Sequence, residues 1–195
     1  LSIRRQRQMC IRDRFKASLG LLVAGGLAAG GAGYALYRSV AADLPDYSWL
    51  ADYHPPQMSR VYAADSRLMA ELAQERRVFV PIEAIPQRIQ QAFVAAEDQN
   101  FWHHRGVDPV AIARAAMVNV EQLGSGRRPI GASTITQQVA KNMLVGADQT
   151  MARKVREAIL AFRIEGAMPK QRILEIYLNE IFLGQQAYGV AAAAQ

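Results

Sequence analysis

Residues 87–106 read QRIQQAFVAAEDQNFWHHRG. The first half has helical spacing. With Ile89 as origin and about 100° per residue, Phe93 falls at about 40°, Glu97 at about 80° and Asp98 at about 180°. Glu97 therefore sits at the margin of an apolar stripe, and Asp98 points the other way. Phe101, Trp102, His103, His104 and Gly106 follow in what reads as a turn. A carboxylate at such a margin is partly desolvated, which disfavours its charged form and suits a base near neutral pH. The alternative is a helix end at which Asp98 is solvated and Glu97 makes a structural hydrogen bond. This stretch alone leaves both open.

Downstream of it the pattern stays helical. Asp108 as N-cap and Pro109 at the first position open a second helix that ends by Gly124, with Ile112, Ala115, Ala116, Asn119 and Leu123 on one face. Gly124–Gly131 is a loop containing Gly and Arg. A third helix opens near Ser133 or Thr134, where Thr134 and Gln137 have capping-box spacing. On it Ile135, Val139 and Met143 form one stripe, with Gln137 and Lys141 opposite. Free N–H groups at its start and one lysine suit an anion. A fourth helix covers Thr150–Glu165, with Val155, Ile159 and Phe162 as the expected buried stripe. Arg153 and Glu157 are i,i+4 neighbours on its other face beside Lys154, either as surface decoration or as a carboxylate held by cations near a phosphate. A fifth helix spans Pro169–Asn179 and packs through Ile173, Leu174, Tyr177 and Leu178. The body is expected to be mainly α.

Upstream, Arg60–Ala63 and Leu68–Leu72 can pair as a hairpin around Ala64–Arg67, and Arg77–Val80 is a candidate third strand. Residues 44–58, with three prolines, read as a linker. Residues 17–37 carry no charge and span roughly 32 Å as a helix, enough for a bilayer core. A retained anchor is preferred to a cleaved signal peptide, because the apolar run is too long for a signal. Basic residues before it and Asp43 and Asp46 after it put the N-terminus in the cytoplasm.

The net charge of +6 is uneven: six of 23 basic residues but one of 17 acidic ones fall in residues 1–16. The body is close to neutral, which speaks against nucleic acid as a partner. Residues 1–14 look like translated adapter sequence; without them the charge argument weakens and Lys16 alone precedes the apolar run. Cys10 is the only cysteine, which excludes an internal disulfide and a cysteine-built zinc site. The chain opens on Leu and stops at Gln195 inside an Ala-rich run, as expected of a fragment.

Four stretches then fall in order: E-D-x-x-F-x-x-H-x-G (Glu97–Gly106), G-x-S-T-I-T-Q-Q (Gly131–Gln138), R-K-x-x-E (Arg153–Glu157) and K-x-x-I-L-E-x-Y-L-N (Lys170–Asn179). Together they resemble the first four motifs of the peptidoglycan glycosyltransferases, and Leu183–Ala191 looks like the start of the fifth. The lead-in from Arg60 to Pro86 is similar to that of bifunctional class A penicillin-binding proteins of the 1A type. The resemblance implies a lysozyme-like, mainly α domain over residues 84–195. It would follow a basic arm (1–16), a membrane helix (17–37) and an extracytoplasmic lead-in (38–83).

The resemblance further implies polymerisation of lipid II into β-1,4 glycan with release of the lipid pyrophosphate, at the outer face of the cytoplasmic membrane. Expected partners are lipid II, the growing glycan, the membrane and other wall-synthesis proteins. By the same resemblance Glu97 is the general base and Glu157 the second essential carboxylate, acting alone or through a divalent cation such as Mg or Mn. Lys141, Arg153 and Lys154 hold phosphates, and Ser133, Thr134, Gln137 and Gln138 line the cleft. Asp98, Phe101 and His104 shape the turn behind the base. Gln149 stands where many members carry a phosphate-binding arginine. A muramidase would share a lysozyme-like pair of carboxylates but would not need the cations near Glu157. A non-catalytic scaffold that binds wall precursors is the third reading.

Overall fold

The structure is a computed structural model describing residues 2–42, 44–55, 59–72, 76–124, 126–127, 129–146 and 150–195. It divides into two compact units, Leu1–Asp43 and Leu44–Gln195. The first is a single helix, α1 (Ser2–Ala41), whose segment Ser18–Ala41 is long and apolar enough to cross a bilayer. Gln149, the expected departure from the resemblance, lies outside the described residues.

The second unit is mainly helical. Its helices are α2 (Gln87–Glu97), α3 (Pro109–Glu121), α4 (Ile135–Ala140), α5 (Met151–Ala167), α6 (Lys170–Glu180) and α7 (Val190–Ala193). The expected hairpin forms: β1 (Ser59–Tyr62) pairs antiparallel with β2 (Leu68–Leu72). The third strand shrinks to β3 (Arg76–Arg77), which pairs in parallel with β4 (Ala187–Tyr188). Helix starts follow the local chemistry. Asp108 accepts from the Val110 and Ala111 N–H groups ahead of Pro109, and Thr134 and Gln137 close the capping box.

α6 is the centre of this unit. Ile173, Leu174, Tyr177 and Leu178 are buried as expected, but Glu175, Asn179 and Glu180 are buried as well. The lead-in covers that second face. The Ile82 N–H donates to Glu175 at 2.7 Å. Asn179 accepts from the Val80 N–H at 2.8 Å and donates to the Val80 carbonyl at 2.9 Å. Tyr53 donates to Glu180 at 2.9 Å, and Arg77 pairs with the same carboxylate. Leu50 and Ile85 join the core beside Ile173 and Leu178, so the lead-in is packed as part of the unit. Gly189, at φ +82°, passes against Asn179; a Cβ there would lie 2.6 Å from its carbonyl oxygen.

Two face assignments are corrected. On α5 the buried residues are Glu157, Leu160, Ala161 and Ile164, whereas Phe162 is 61% exposed. The close approach of Gly106 (φ +82°) decides this: a Cβ there would lie 2.6 Å from the Ala161 carbonyl carbon. That turn docks on the α5 backbone and draws the Ala161 side inward. On α4, Gln137 is buried because its side chain folds back to accept from the Thr134 N–H. It does not share an open face with Lys141, which is exposed. The helix continues as a π-helical turn, Lys141–Val145, that ends at Gly146.

Asn179→Ala removes both bonds to Val80 and is expected to cost about 1–2 kcal/mol, because the half-buried Val80 N–H and C=O lose that partner. Chemical denaturation checks this, with the exposed Gln91→Ala as the neutral comparison. Burial pushes the Asp108 carboxyl up, but hydrogen bonds from Asn100, Ala111 and Val110, with His104 nearby, outweigh it and hold the group below its ordinary 3.8. Its stabilisation is therefore complete above about pH 4 and is lost as pH falls through the folded-state value. Asp108→Asn keeps the cap but not the charge. The stability gap between the two proteins should be widest near neutral pH and close in acid, as read by urea midpoints across that range.

Candidate active site

Asp98 ends α2 as its C-cap with φ −156° and ψ 76°. That break from helical geometry swings its side chain off the helical wheel and into the protein. Asp98 is only 6% exposed, while Glu97 is exposed. This reverses the wheel reading, which put Glu97 at the buried margin and Asp98 away from it. The wheel holds only while the backbone stays helical.

The buried Asp98 carboxylate faces His104 Nε2 at 2.8 Å and accepts the Ile135 N–H at 3.0 Å. It thus joins the turn after α2 to the first residue of α4. Thr134 Oγ1 donates to the Gly106 carbonyl at 2.6 Å and seals the same junction. Phe101 is fully buried beneath it, 6.2 Å from the His104 ring. Glu97, one residue earlier, points outward, and Gln138 Nε2 donates to its Oε2 at 2.8 Å. Below, Tyr177 is buried. Burial first, then the negative charge of Glu97, push its hydroxyl well above the usual range.

Glu97 and Asp98 line a cleft of about 220 Å³ between the end of α2, one face of α3 and the segment from Ile130 to Thr134. Arg114 on α3 lines its wall. Sequence reasoning missed Arg114; its only signal was an i,i+3 and i−1 relation to Ala111 and Ala115 on the cleft face. Asn119 bonds both the N–H and carbonyl of Ile130, at 2.7 and 3.0 Å, and so fixes the cleft's far edge.

Ser133 connects this cleft to the second carboxylate. Its hydroxyl lies 2.6 Å from Lys154 Nζ, which is 3.0 Å from Glu157 Oε2. Glu157 is 1% exposed, and Arg153 Nε stands 3.1 Å from its Oε1. The contact is an ion pair without hydrogen-bond alignment, which leaves Oε1 with unused acceptor capacity. The structure therefore buries Glu157 and sets it between a half-buried Arg153 and a partly exposed Lys154, which is more than surface decoration. Lys141 is not brought to this cleft; it lines a separate hollow with Asn142, Arg77, Glu180 and Tyr188. Gln137 serves the α4 cap and does not line the cleft.

Residues 65–195 match the family described as Transglycosylase. The chain belongs to the transglycosylase family. It is 52% identical over 162 residues to penicillin-binding protein 1A of Rickettsia felis, covering 83% of this chain and 20% of that protein. Identity is 51% over 153 residues to penicillin-binding protein 1A of Aquifex aeolicus, covering 78% and 21%. For penicillin-binding protein 1A of Escherichia coli K12 it is 47% over 162 residues, covering 83% and 19%. This chain spans about a fifth of the length of these curated relatives.

The donor set of this transglycosylase chain does not fit a divalent ion held by the protein. Among the described residues no group of three His, Cys, Asp or Glu side chains is placed to hold a metal ion, and Glu157 stands between two cations of its own. Those cations are what make a buried carboxylate tolerable. Lys154→Met should cost about 1–2 kcal/mol, less than a full orphaning because Arg153 remains. Adding Glu157→Gln should recover part of that loss, and denaturant titration of the single and double variants reads both.

Proposed function

We propose that this chain carries the glycosyltransferase segment of a class A penicillin-binding protein that polymerises lipid II into β-1,4 glycan. The observation that carries this reading is the pairing of unlike carboxylates. Glu97 is exposed in a cleft and oriented by Gln138, while Glu157 is buried between Arg153 and Lys154 and reaches the cleft through Ser133. Glu97 takes the proton from the acceptor 4-hydroxyl as that oxygen attacks C1 of the donor sugar from the face opposite the leaving group. The C1–O bond breaks, and the electron pair leaves on the lipid pyrophosphate with inversion at C1. Lys154, Arg153 and Arg114 offset the charge that grows on the leaving phosphate, where preorganised cations act most strongly. Glu157 holds the first two at fixed positions.

A lipid-linked substrate also suits α3. Val110, Ile112, Met117 and Val120 remain exposed on the helix that forms the cleft wall. An uncovered apolar surface of this kind suits contact with acyl chains. The candidate span Ser18–Ala41 would anchor the protein in the cytoplasmic membrane, with the catalytic segment outside.

Glu97→Gln, made in the protein as its gene encodes it, should lower lipid II polymerisation by roughly a hundredfold or more while leaving the melting temperature unchanged. Glycan synthesis at the wild-type rate would remove Glu97 from the role of base. Soluble muropeptides released from purified glycan would favour a hydrolase.

A further inference from the structure

Behind Glu97 and Asp98 stand three polar side chains that do not line the cleft: His104, Glu165 and Lys170. His104 faces Asp98 through Nε2. Its other ring nitrogen, Nδ1, is buried without a hydrogen-bond partner and stands 3.8 Å from Glu165 Oε1. Glu165 lies near the end of α5. Its Oε1 accepts from Thr136 Oγ1 at 2.6 Å and from Lys170 Nζ at 2.6 Å. Lys170 begins α6, and its ammonium lies 4.4 Å from the centre of the Phe101 ring. The Asp98, His104 and Glu165 side chains are each 5% exposed or less.

A buried charged cluster is a poor way to gain stability, since apolar residues of similar volume commonly do as well or better. What such a cluster can do is hold geometry, and its two arms lead to one place. Through His104, Glu165 reaches Asp98, the residue bonded directly to Glu97. Through Thr136 it reaches the first turn of α4, two residues before Gln138, which donates to Glu97. The open Nδ1 explains the remaining gap: a movement of about 0.8 Å would bring it to hydrogen-bond length from Glu165.

We propose that Glu165 is a positioning residue for Glu97. It holds the imidazole of His104 from the side opposite Asp98 and holds α4 through Thr136, so that the backbone at Glu97 and the amide of Gln138 keep a fixed relation. Lys170 balances its charge from α6. The role rests on Glu97 acting as the base. Glu165 touches no part of the cleft and acts only through its neighbours.

The test is Glu165→Gln in the protein as its gene encodes it, with lipid II as substrate. The amide can still accept from Thr136 but loses the negative charge that faces His104 and Lys170. Misplacement of the base should lower kcat roughly ten- to a hundredfold. KM should change by less than about twofold, since ground-state binding is untouched. The melting temperature should stay within a few degrees of wild type. The double variant Glu165→Gln/His104→Gln should be no slower than the slower single variant, as for residues acting in one unit. Wild-type kcat in Glu165→Gln would overturn the proposal. So would a loss of activity fully matched by a loss of folded protein, or losses that multiply in the double variant. A wild-type protein that makes no glycan would overturn the functional reading itself. That failure is distinct, because it appears before any variant is made.

Discussion

The second unit of this molecule turns on one buried carboxylate that does no chemistry in the proposed reaction. Asp98 accepts the Ile135 N–H and faces His104, so it clamps the C-terminus of α2 to the N-terminus of α4. A buried carboxylate must be well hydrogen-bonded to be tolerated. That requirement restrains the turn from Asn100 to Gly106, the start of α4, and the angle at which Glu97 leaves its helix. Gly106 completes the arrangement, because only a residue without Cβ can lie so close to the Ala161 backbone. The adjacent pair Glu97-Asp98 thus divides its labour by backbone conformation: the last helical residue faces the cleft and the first non-helical one faces the core.

A second clamp operates on α6. Glu175, Asn179 and Glu180 are placed among apolar neighbours, and each is matched to a group from the lead-in. Burying three polar side chains on one helix would be strongly unfavourable without those partners. The lead-in is therefore part of the folded unit. Through the β3–β4 pair and the contact of Arg77 with the Tyr188 ring, it also ties the start of the unit to its last described strand. Arg77 and Glu180 reach the hollow that contains Lys141, so the lead-in contributes to a surface bearing one of the cations expected near phosphate.

The two glutamates of the proposed reaction have opposite surroundings. Glu97 is open to solvent and held by a neutral amide, as suits a group that must meet its substrate. Glu157 is enclosed and neutralised by two cations, which suits it to holding those cations in place. Lys154 is shared between Glu157 and Ser133, so the charge beside the cleft is tethered at both ends. Such tethering limits the reorganisation needed when negative charge grows on a leaving group.

Much of this could be read from the amino-acid sequence alone. The helical body, the hairpin, the caps at Asp108 and Thr134, the apolar span before residue 42 and the four motifs are local or strictly periodic signals, and they determined the family and the residues to watch. The orientation of side chains at helix ends and on crowded helices was decided only by the tertiary structure. Asp98 defied the helical wheel because its φ and ψ are not helical. Phe162 was left outside because the Gly106 turn needed the Ala161 face. Gln137 turned back to its own cap, and the polar residues of α6 found partners 93 to 127 residues earlier in the chain. A wheel describes one straight helix, but burial is settled by whichever neighbour arrives on which side, and that information is spread across the whole fold.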